Sequence, residues 1–354
     1  MNRILAFHFG LVQDVAVLRP LIRIAASLAT TDIHLLVTSK FAELDTDGKW
    51  MREIERLGGE IGIVPFIYET PFDCLRRFGS SRGMIIAGSE SDARAHVQAH
   101  ELFRAMPGRF RTVTLQHGLE CVGFLHNARH DATAGRAVRF AADIAVAWFD
   151  LARARSVSPT ERTKIFVAGP PIMIEPPPRA ADLKAIQQGL VCENLHSVRF
   201  SNWRMREAFL ETFLDFASKL EMIGQTVVLR PHPAGRFTDR KAIALPANVT
   251  LSREPLYDVD LANFAYAISA PSTVLFDFAL AGVPAATWVD REQQVDVSNF
   301  DGLSKVGAAD DWWRFSLAAR FEREVLVARQ DDFIAAQHIP VDVRERYQQL
   351  LALS

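Results

Sequence analysis

Residues 265–289 read Ala265-Tyr266-Ala267-Ile268-Ser269-Ala270-Pro271-Ser272-Thr273-Val274-Leu275-Phe276-Asp277-Phe278-Ala279-Leu280-Ala281-Gly282-Val283-Pro284-Ala285-Ala286-Thr287-Trp288-Val289. A short apolar run turns polar at Ser269–Thr273, continues for the length of a helix and ends in a second apolar run. This spacing predicts a strand at 265–269, a helix at 272–281 and a strand at 284–289. The same alternation extends in both directions along the chain. It is the pattern of a mainly parallel sheet with crossover helices, so the fold class expected is α/β.

Upstream of this stretch the pattern predicts strands at 189–193, 225–230 and 248–252, with helices at 202–222 and 256–264. Downstream it predicts helices near 310–328 and 341–352. The first half reads as strands near 3–9, 32–38, 61–67, 83–87, 111–115, 142–148 and 164–168. Its helices are expected near 14–29, 49–57, 72–78, 91–105 and 150–155, with Asp14 as N-cap of the first. Between the halves, Gly169-Pro170-Pro171 and Glu175-Pro176-Pro177-Pro178 suit neither helix nor central strand, because proline fixes φ and lacks the N–H. With 354 residues the chain exceeds a single ordinary core. The expected organisation is a Rossmann-like domain over 1–170, a proline-rich linker over 171–182, a second Rossmann-like domain over 183–330, and a helical segment over 331–354 that can pack back on the first.

Forty basic and 42 acidic residues leave a formal charge of -2, so no global basic field recruits nucleic acid. Cys74, Cys121 and Cys192 lie far apart without a CxxC pair, which argues against a zinc knuckle or a disulfide framework and suits a reducing cytoplasm. Ile4-Leu5-Ala6-Phe7 reads as a first strand rather than a signal-peptide core, because His8 and Gly10 interrupt it. No run reaches the ~20 apolar residues of a membrane span. Arg199-Phe200-Ser201-Asn202-Trp203-Arg204 and Trp312-Trp313-Arg314-Phe315 allow at most peripheral contact, at the inner face of the cytoplasmic membrane; half-buried aromatics on solvated helices explain them more simply.

In open α/β sheets ligands bind beyond the carboxyl ends of strands, where helix N-termini offer free N–H groups. Four such turns concentrate polar chemistry. Val227-Val228-Leu229-Arg230-Pro231-His232-Pro233 delivers an arginine and then a histidine held between two prolines, suited to a phosphate oxygen or a leaving group. Ser269, Ser272 and Thr273 lead a helix whose first amides can bind an anion, and Asp277 can accept from ribose hydroxyls; Ser272 could equally be a plain N-cap. Gln116-His117-Gly118-Leu119-Glu120 offers His117 as a general base, Glu120 to orient or replace it, and Gly118 for close approach. In the turn after 189–193, Ser197 and Arg199 could add donors to the phosphate pocket. At the end of the first strand, His8, Gly10 and Asp14 form a further acceptor-side set, together with Gln116 and Gly118.

No HExxH, P-loop lysine motif or GxSxG elbow occurs. His126 and His130 beside Asp131 could share a helix face, but no third metal ligand has recognisable spacing, so no metal site is expected.

These turns resemble those of GT-B transferases of bacterial surface polysaccharides, particularly CDP-glycerol glycerophosphotransferases and capsule Kdo or sialic-acid transferases. Ser272-Thr273-Val274-Leu275-Phe276-Asp277-Phe278 with Gly282-Val283-Pro284 is similar to their serine-rich donor motif. Arg230-Pro231-His232-Pro233 resembles the His-Pro motif shared with bacterial sialyltransferases, and Gln116-His117-Gly118 the first-domain His-Gly motif. The likeness is strongest over 225–290, and Glu193-Asn194-Leu195-His196-Ser197 departs from the family's usual Ala-Pro-Thr-like turn. It implies two domains facing across a cleft, with a CMP-sugar or CDP-glycerol as donor and a glycan or lipid-linked acceptor. His232, Ser272 and Thr273 would contact the nucleotide phosphates, and His117 would serve as acceptor-side base. The nucleotide-activated donor is itself the substrate, so no cofactor is implied. Two alternatives stay open: a UDP-N-acetylglucosamine 2-epimerase-like enzyme, and a noncatalytic nucleotide-binding protein.

Overall fold

The computed structural model describes residues 3–28, 32–179, 188–200, 202–292 and 294–353. The chain divides into two compact units: unit 1 is Met1–His126, His130–Glu175 and Ile339–Ser354, and unit 2 is Asn127–Arg129 and Pro176–His338. The expected linker, 171–182, runs at its end beyond the described residues.

In unit 1 the strands are β1 (Arg3–Phe9), β2 (Asp32–Thr38), β3 (Phe66–Tyr68), β4 (Arg82–Ala87), β5 (Phe110–Leu115), β6 (Ile144–Ala147) and β7 (Ile165–Val167). They form one parallel sheet in the order β3-β2-β1-β4-β5-β6-β7. Helices α1 (Val12–Ala26), α2 (Ser39–Leu44), α3 (Lys49–Glu60), α4 (Pro71–Phe78) and α5 (Val97–Ala105) lie among the strands in sequence, as does α6 (Ala128–Ala134), whose first two residues are counted with unit 2. Strands covered on both faces are mainly apolar, and β1 follows this from Ile4 to Phe9, all buried, with His8 the polar exception. One face packs Phe7, Leu18, Leu21, Trp50 and Ile54; the other packs Ile4, Leu36, Phe78, Phe103 and Phe110. The order reverses at β1 and β4, whose ends stand side by side through the pair His8 and Ala87.

In unit 2 the strands are β8 (Gly189–Glu193), β9 (Val227–Pro231), β10 (Val249–Leu251), β11 (Tyr266–Ser269), β12 (Ala285–Trp288) and β13 (Ser304–Val306), parallel in the order β10-β9-β8-β11-β12-β13. The helices are α7 (Trp203–Glu221), α8 (Phe237–Arg240), α9 (Val274–Ala281), α10 (Ala309–Phe321) and α11 (Arg323–Ala335). Phe209, Phe213 and Phe216 of α7 pack with Tyr266, Trp288 and Trp312. Here the order reverses at β8 and β11, which pair Cys192 with Ser269. From Ile339 the chain belongs to unit 1 again, where α12 (Val343–Ala352) buries Val343, Tyr347, Leu350 and Leu351.

Several elements differ from expectation. The helix expected at 256–264 is two short 3-10 turns, Leu256–Asp258 and Leu261–Asn263, because the Asp260 side chain accepts the Ala262 N–H and starts the chain afresh. Residues 150–155 form turns, with the Asp150 carboxylate accepting the Ala152 N–H. The expected 310–328 helix breaks between α10 and α11 at Glu322. β3 starts later than expected because residues 61–62 turn, with Gly62 at φ 72°. Asp14 is not the N-cap of α1. Leu11 holds that position, and Asp14, three residues on, accepts the N–H groups of Gly10 (2.8 Å) and Leu11 (2.7 Å). Among the described residues, no helix is long and apolar enough to cross a membrane.

Candidate functional site

Each sheet reverses its order between two strands, and the crevice beyond their carboxyl ends is where an α/β sheet presents ligand-binding groups. In unit 2 this places the β8 and β11 turns together: the Asn194 amide donates to the Pro271 carbonyl at 2.6 Å, while its own buried Oδ1 has no partner among the described residues. β9 adds Arg230 and His232. Arg230 is buried, with Nε donating to the Glu254 carbonyl at 3.3 Å. The Ala234 N–H donates to His232 Nδ1 at 3.1 Å, so the proton of the neutral ring sits on Nε2.

The His232 ring stacks on His196, with centroids 3.6 Å apart and planes 26° apart. Burial, then the neighbouring His196 and Arg230, hold the His232 imidazole well below its usual range. Desolvation, then the Arg206 and Arg240 charges, push His196 down as well. Both rings are therefore neutral, in a setting rich in arginine. The turn carrying His232 is clamped: Glu193, at the end of β8, accepts the Thr238 N–H at 3.0 Å and the Thr238 hydroxyl. Gly235 packs directly on His196, and a Cβ there would meet His196 Cβ at 2.7 Å.

Ser272 and Thr273 are half-buried just before α9, and the Ser272 hydroxyl accepts the Val274 N–H at 3.5 Å. Asp277 lies in the first turn of α9, where burial pushes its carboxyl up to about 7 against the pull of Arg230. Two expected phosphate ligands are committed elsewhere. Ser269 is fully buried, and its hydroxyl donates to the Ala270 carbonyl at 2.6 Å, so it fixes the strand end. Arg199 is buried, donates to the Asp296 carbonyl at 2.8 Å and lies over the Phe300 ring. Ser197 accepts the Arg199 N–H at 3.4 Å within its own turn.

In unit 1 the corresponding turns follow β1, β4 and β5. His8 is buried, and neither ring nitrogen hydrogen-bonds to another of the described residues; desolvation pushes it down to about 4. Gly10 packs against it, since a Cβ there would lie 2.9 Å from His8 Cε1. His117 Nδ1 lies 2.9 Å from Ser89 Oγ and 3.2 Å from Cys121 Sγ, and the His96 ring meets its ring edge-on at 5.9 Å. Burial first, then His96 and His130, push His117 down to about 3. Ser89 Oγ also donates to Asp14 Oδ1 at 3.3 Å, and burial pushes the Asp14 carboxyl up to about 7.

Gln116 is not available to an acceptor. Its Nε2 donates to the Gly118 and Leu119 carbonyls at 2.8 and 3.1 Å, and its Oε1 accepts the Trp148 N–H at 2.9 Å. Gly118 is buried with its carbonyl in that network, so the turn is held rigid rather than opened for close approach. Ser89 meets His117 Nδ1 directly, and the Glu120 charge acts on His126. His126 is engaged on both sides, accepting the Gly123 N–H at 2.8 Å and meeting Asp131 at 3.1 Å. Among the described residues, no cluster of three or more His, Cys, Asp or Glu is arranged to hold a metal ion.

The sequence reading missed Ser89, Ser91 and His96. Ser91 Oγ and His96 Nδ1 are 2.7 Å apart, both buried. The signal was present, since Gly88-Ser89-Glu90-Ser91 follows the apolar β4.

No protein-family model matches the sequence, and no curated protein does. Solved structures do. The UDP-GlcNAc 2-epimerase from Neisseria meningitidis bound to UDP-GlcNAc is 10% identical with a TM-score of 0.60, over 100% of this chain and 99% of that one. The wall teichoic acid polymerase TagF is 11% identical with a TM-score of 0.58, over 99% and 88% of the two chains. The calicheamicin glycosyltransferase CalG4 is 13% identical with a TM-score of 0.53, over 99% and 98%. The class is thereby defined: two parallel-sheet α/β domains of the GT-B fold. Within it, the structural neighbours include both glycosyltransferases and UDP-GlcNAc 2-epimerases.

Proposed function

We propose that this chain is a metal-independent transferase that moves a glycosyl or polyol-phosphate group from a cytidine-nucleotide-activated donor to a hydroxyl of a bacterial surface glycan or its lipid-linked precursor, in the cytoplasm. The observation that carries the reading is His232, a neutral imidazole whose Nε2–H is free of the Ala234 bond, beside buried Arg230 at the carboxyl edge of unit 2. In the reaction, the acceptor oxygen forms a bond to the anomeric carbon or the phosphorus, and the bond to the leaving nucleotide phosphate breaks. Negative charge then grows on that phosphate. Donors held in place before the reaction stabilise such charge, and Nε2–H of His232, Arg230 and the Ser272 hydroxyl are the donors in unit 2. His232 acts by hydrogen bonding, since its surroundings disfavour the imidazolium. His117 in unit 1 takes the acceptor proton.

A ligand that binds only the folded state raises apparent stability by about 2.7 kcal/mol at 100 times its Kd. Thermal unfolding with CMP, CDP, UDP, GDP and ADP should show stabilisation by the cytidine nucleotides, unchanged by EDTA. Indifference to all five sinks the reading, and a response to UDP alone overturns the donor base. A second reading, an epimerase acting on UDP-N-acetylglucosamine, is favoured by the Asp14 carboxyl, whose pKa of about 7 suits proton transfer near neutrality. Epimerisation of UDP-N-acetylglucosamine without any acceptor would select it over the transferase.

A further inference from the structure

The two ring nitrogens of His117 have different surroundings. Nδ1 faces Ser89 Oγ at 2.9 Å and Cys121 Sγ at 3.2 Å, whereas the contact at Nε2 is Cys121 Sγ at 3.9 Å. Ser89 Oγ in turn donates to Asp14 Oδ1 at 3.3 Å, and the other Asp14 oxygen is held by the Gly10 and Leu11 N–H groups. Gly88 makes this approach possible, because a Cβ there would lie 2.4 Å from Asp14 Oδ1. Three turns, after β1, β4 and β5, thus build a chain of buried carboxylate, buried hydroxyl and half-buried imidazole.

We propose that Asp14, Ser89 and His117 form a proton relay in which Asp14 and Ser89 set the tautomer of His117 and receive the proton that its Nε2 accepts. With Asp14 ionised, the Ser89 hydroxyl donates to the carboxylate and accepts from His117 Nδ1–H, leaving the lone pair on Nε2. When Nε2 takes a proton, the Nδ1 proton passes to Ser89 and the Ser89 proton to Asp14. One proton enters at Nε2 and one is stored on Asp14, and the imidazole stays neutral throughout. A direct base would have to become imidazolium, which burial of His117 opposes, whereas the buried Asp14 carboxyl holds a proton near neutrality. The titratable groups facing the chain are His96, His130 of α6 and Cys121. The Cys121 thiol, pushed up to about 12 by burial, stays protonated; as a weak donor it competes poorly with Ser89 for Nδ1. Asp14 and Ser89 are positioning residues, acting through His117.

The use of the Nε2 lone pair on an acceptor rests on the transferase reading, but the tautomer does not. Nitrogen-15 NMR of the full chain labelled at histidine, with His117 assigned by His117→Gln, reads it directly. At pH 8 His117 should carry its proton on Nδ1, and Cys121→Ala should leave that unchanged. Ser89→Ala and, independently, Asp14→Asn should move the proton toward Nε2. In the native chain, lowering the pH through about 7 should do the same without producing imidazolium. A proton on Nε2 at pH 8, or one tautomer common to the native chain and both variants, overturns the relay whatever reaction the protein performs. In a transferase assay, Ser89→Ala should lower kcat by roughly 10²–10⁴-fold, the range of general acid–base catalysis, with KM unchanged.

Discussion

His8 shows how a polar side chain can sit in a strand that is otherwise apolar. It is 1% exposed, and neither ring nitrogen bonds to another of the described residues. Its imidazole, pushed down to about 4, stays neutral in the folded chain, whereas in the unfolded chain it takes a proton below about 6.5. Its contribution to stability is therefore lost as pH falls from about 6.5 toward 4, by about 2 kcal/mol at pH 5. Thermal unfolding of His8→Leu at two pH values checks this: the gain in Tm at pH 5 should exceed that at pH 8 by roughly 4–8 °C. Equal gains would mean that His8 is charged or paired in the fold. His232 carries the complementary prediction for binding. Removing a hydrogen bond to a charged phosphate costs about 1.5–3 kcal/mol, so His232→Ala should weaken binding of the stabilising nucleotide by roughly 10–100-fold in calorimetric titration. Both residues were legible in the sequence as polar groups ending apolar runs. Ser269 and Arg199 read as phosphate donors too, yet the Ser269 hydroxyl turns to the adjacent Ala270 carbonyl and Arg199 to the Asp296 carbonyl, a partner far along the chain.

At the scale of elements, the turn from His232 to α8 behaves as one piece. The His232 carbonyl accepts the N–H groups of Gly235 (3.0 Å) and Arg236 (2.9 Å), and Glu193 secures the start of α8. Gly235 leaves no room beside His196, so Gly235→Ala should separate the two stacked imidazoles. The expected result is weaker nucleotide binding with far-UV circular dichroism unchanged. Binding at native strength would show that the stack contributes nothing. Strands and long helices were readable here because parallel strands are uniformly apolar and α7 repeats its apolar face over 19 residues. The 256–264 segment was not, because one aspartate side chain bonding to a nearby N–H outweighs helical periodicity. β13, three residues with Lys305 at its centre, carries too little pattern to read.

At the scale of the whole molecule, α12 completes unit 1 although it lies at the far end of the chain. Tyr347 donates its hydroxyl to the Gly169 carbonyl at 2.9 Å, Arg346 donates to the Val167 carbonyl, and Arg3 reaches the Leu351 and Ala352 carbonyls. Four buried apolar side chains at roughly 1.5–3 kcal/mol each approach the ~5–15 kcal/mol net stability of a whole domain. A chain ending at His338 should therefore lose the calorimetric transition of unit 1 and keep that of unit 2. Survival of both transitions would show that α12 is dispensable.

The sequence by itself determined the α/β class, the two-domain plan and the strand-end turns that hold the polar chemistry. Each of these is written in local periodicity, in prolines, and in where apolar runs stop. Only the tertiary structure decided which of those polar groups meet. Asp14, Ser89 and His117 are 75 and 28 residues apart in sequence, as are the partners in their bonds, and they come together because β1, β4 and β5 are neighbours in the sheet. Strand order is set by the packing of the whole chain, which no local pattern encodes.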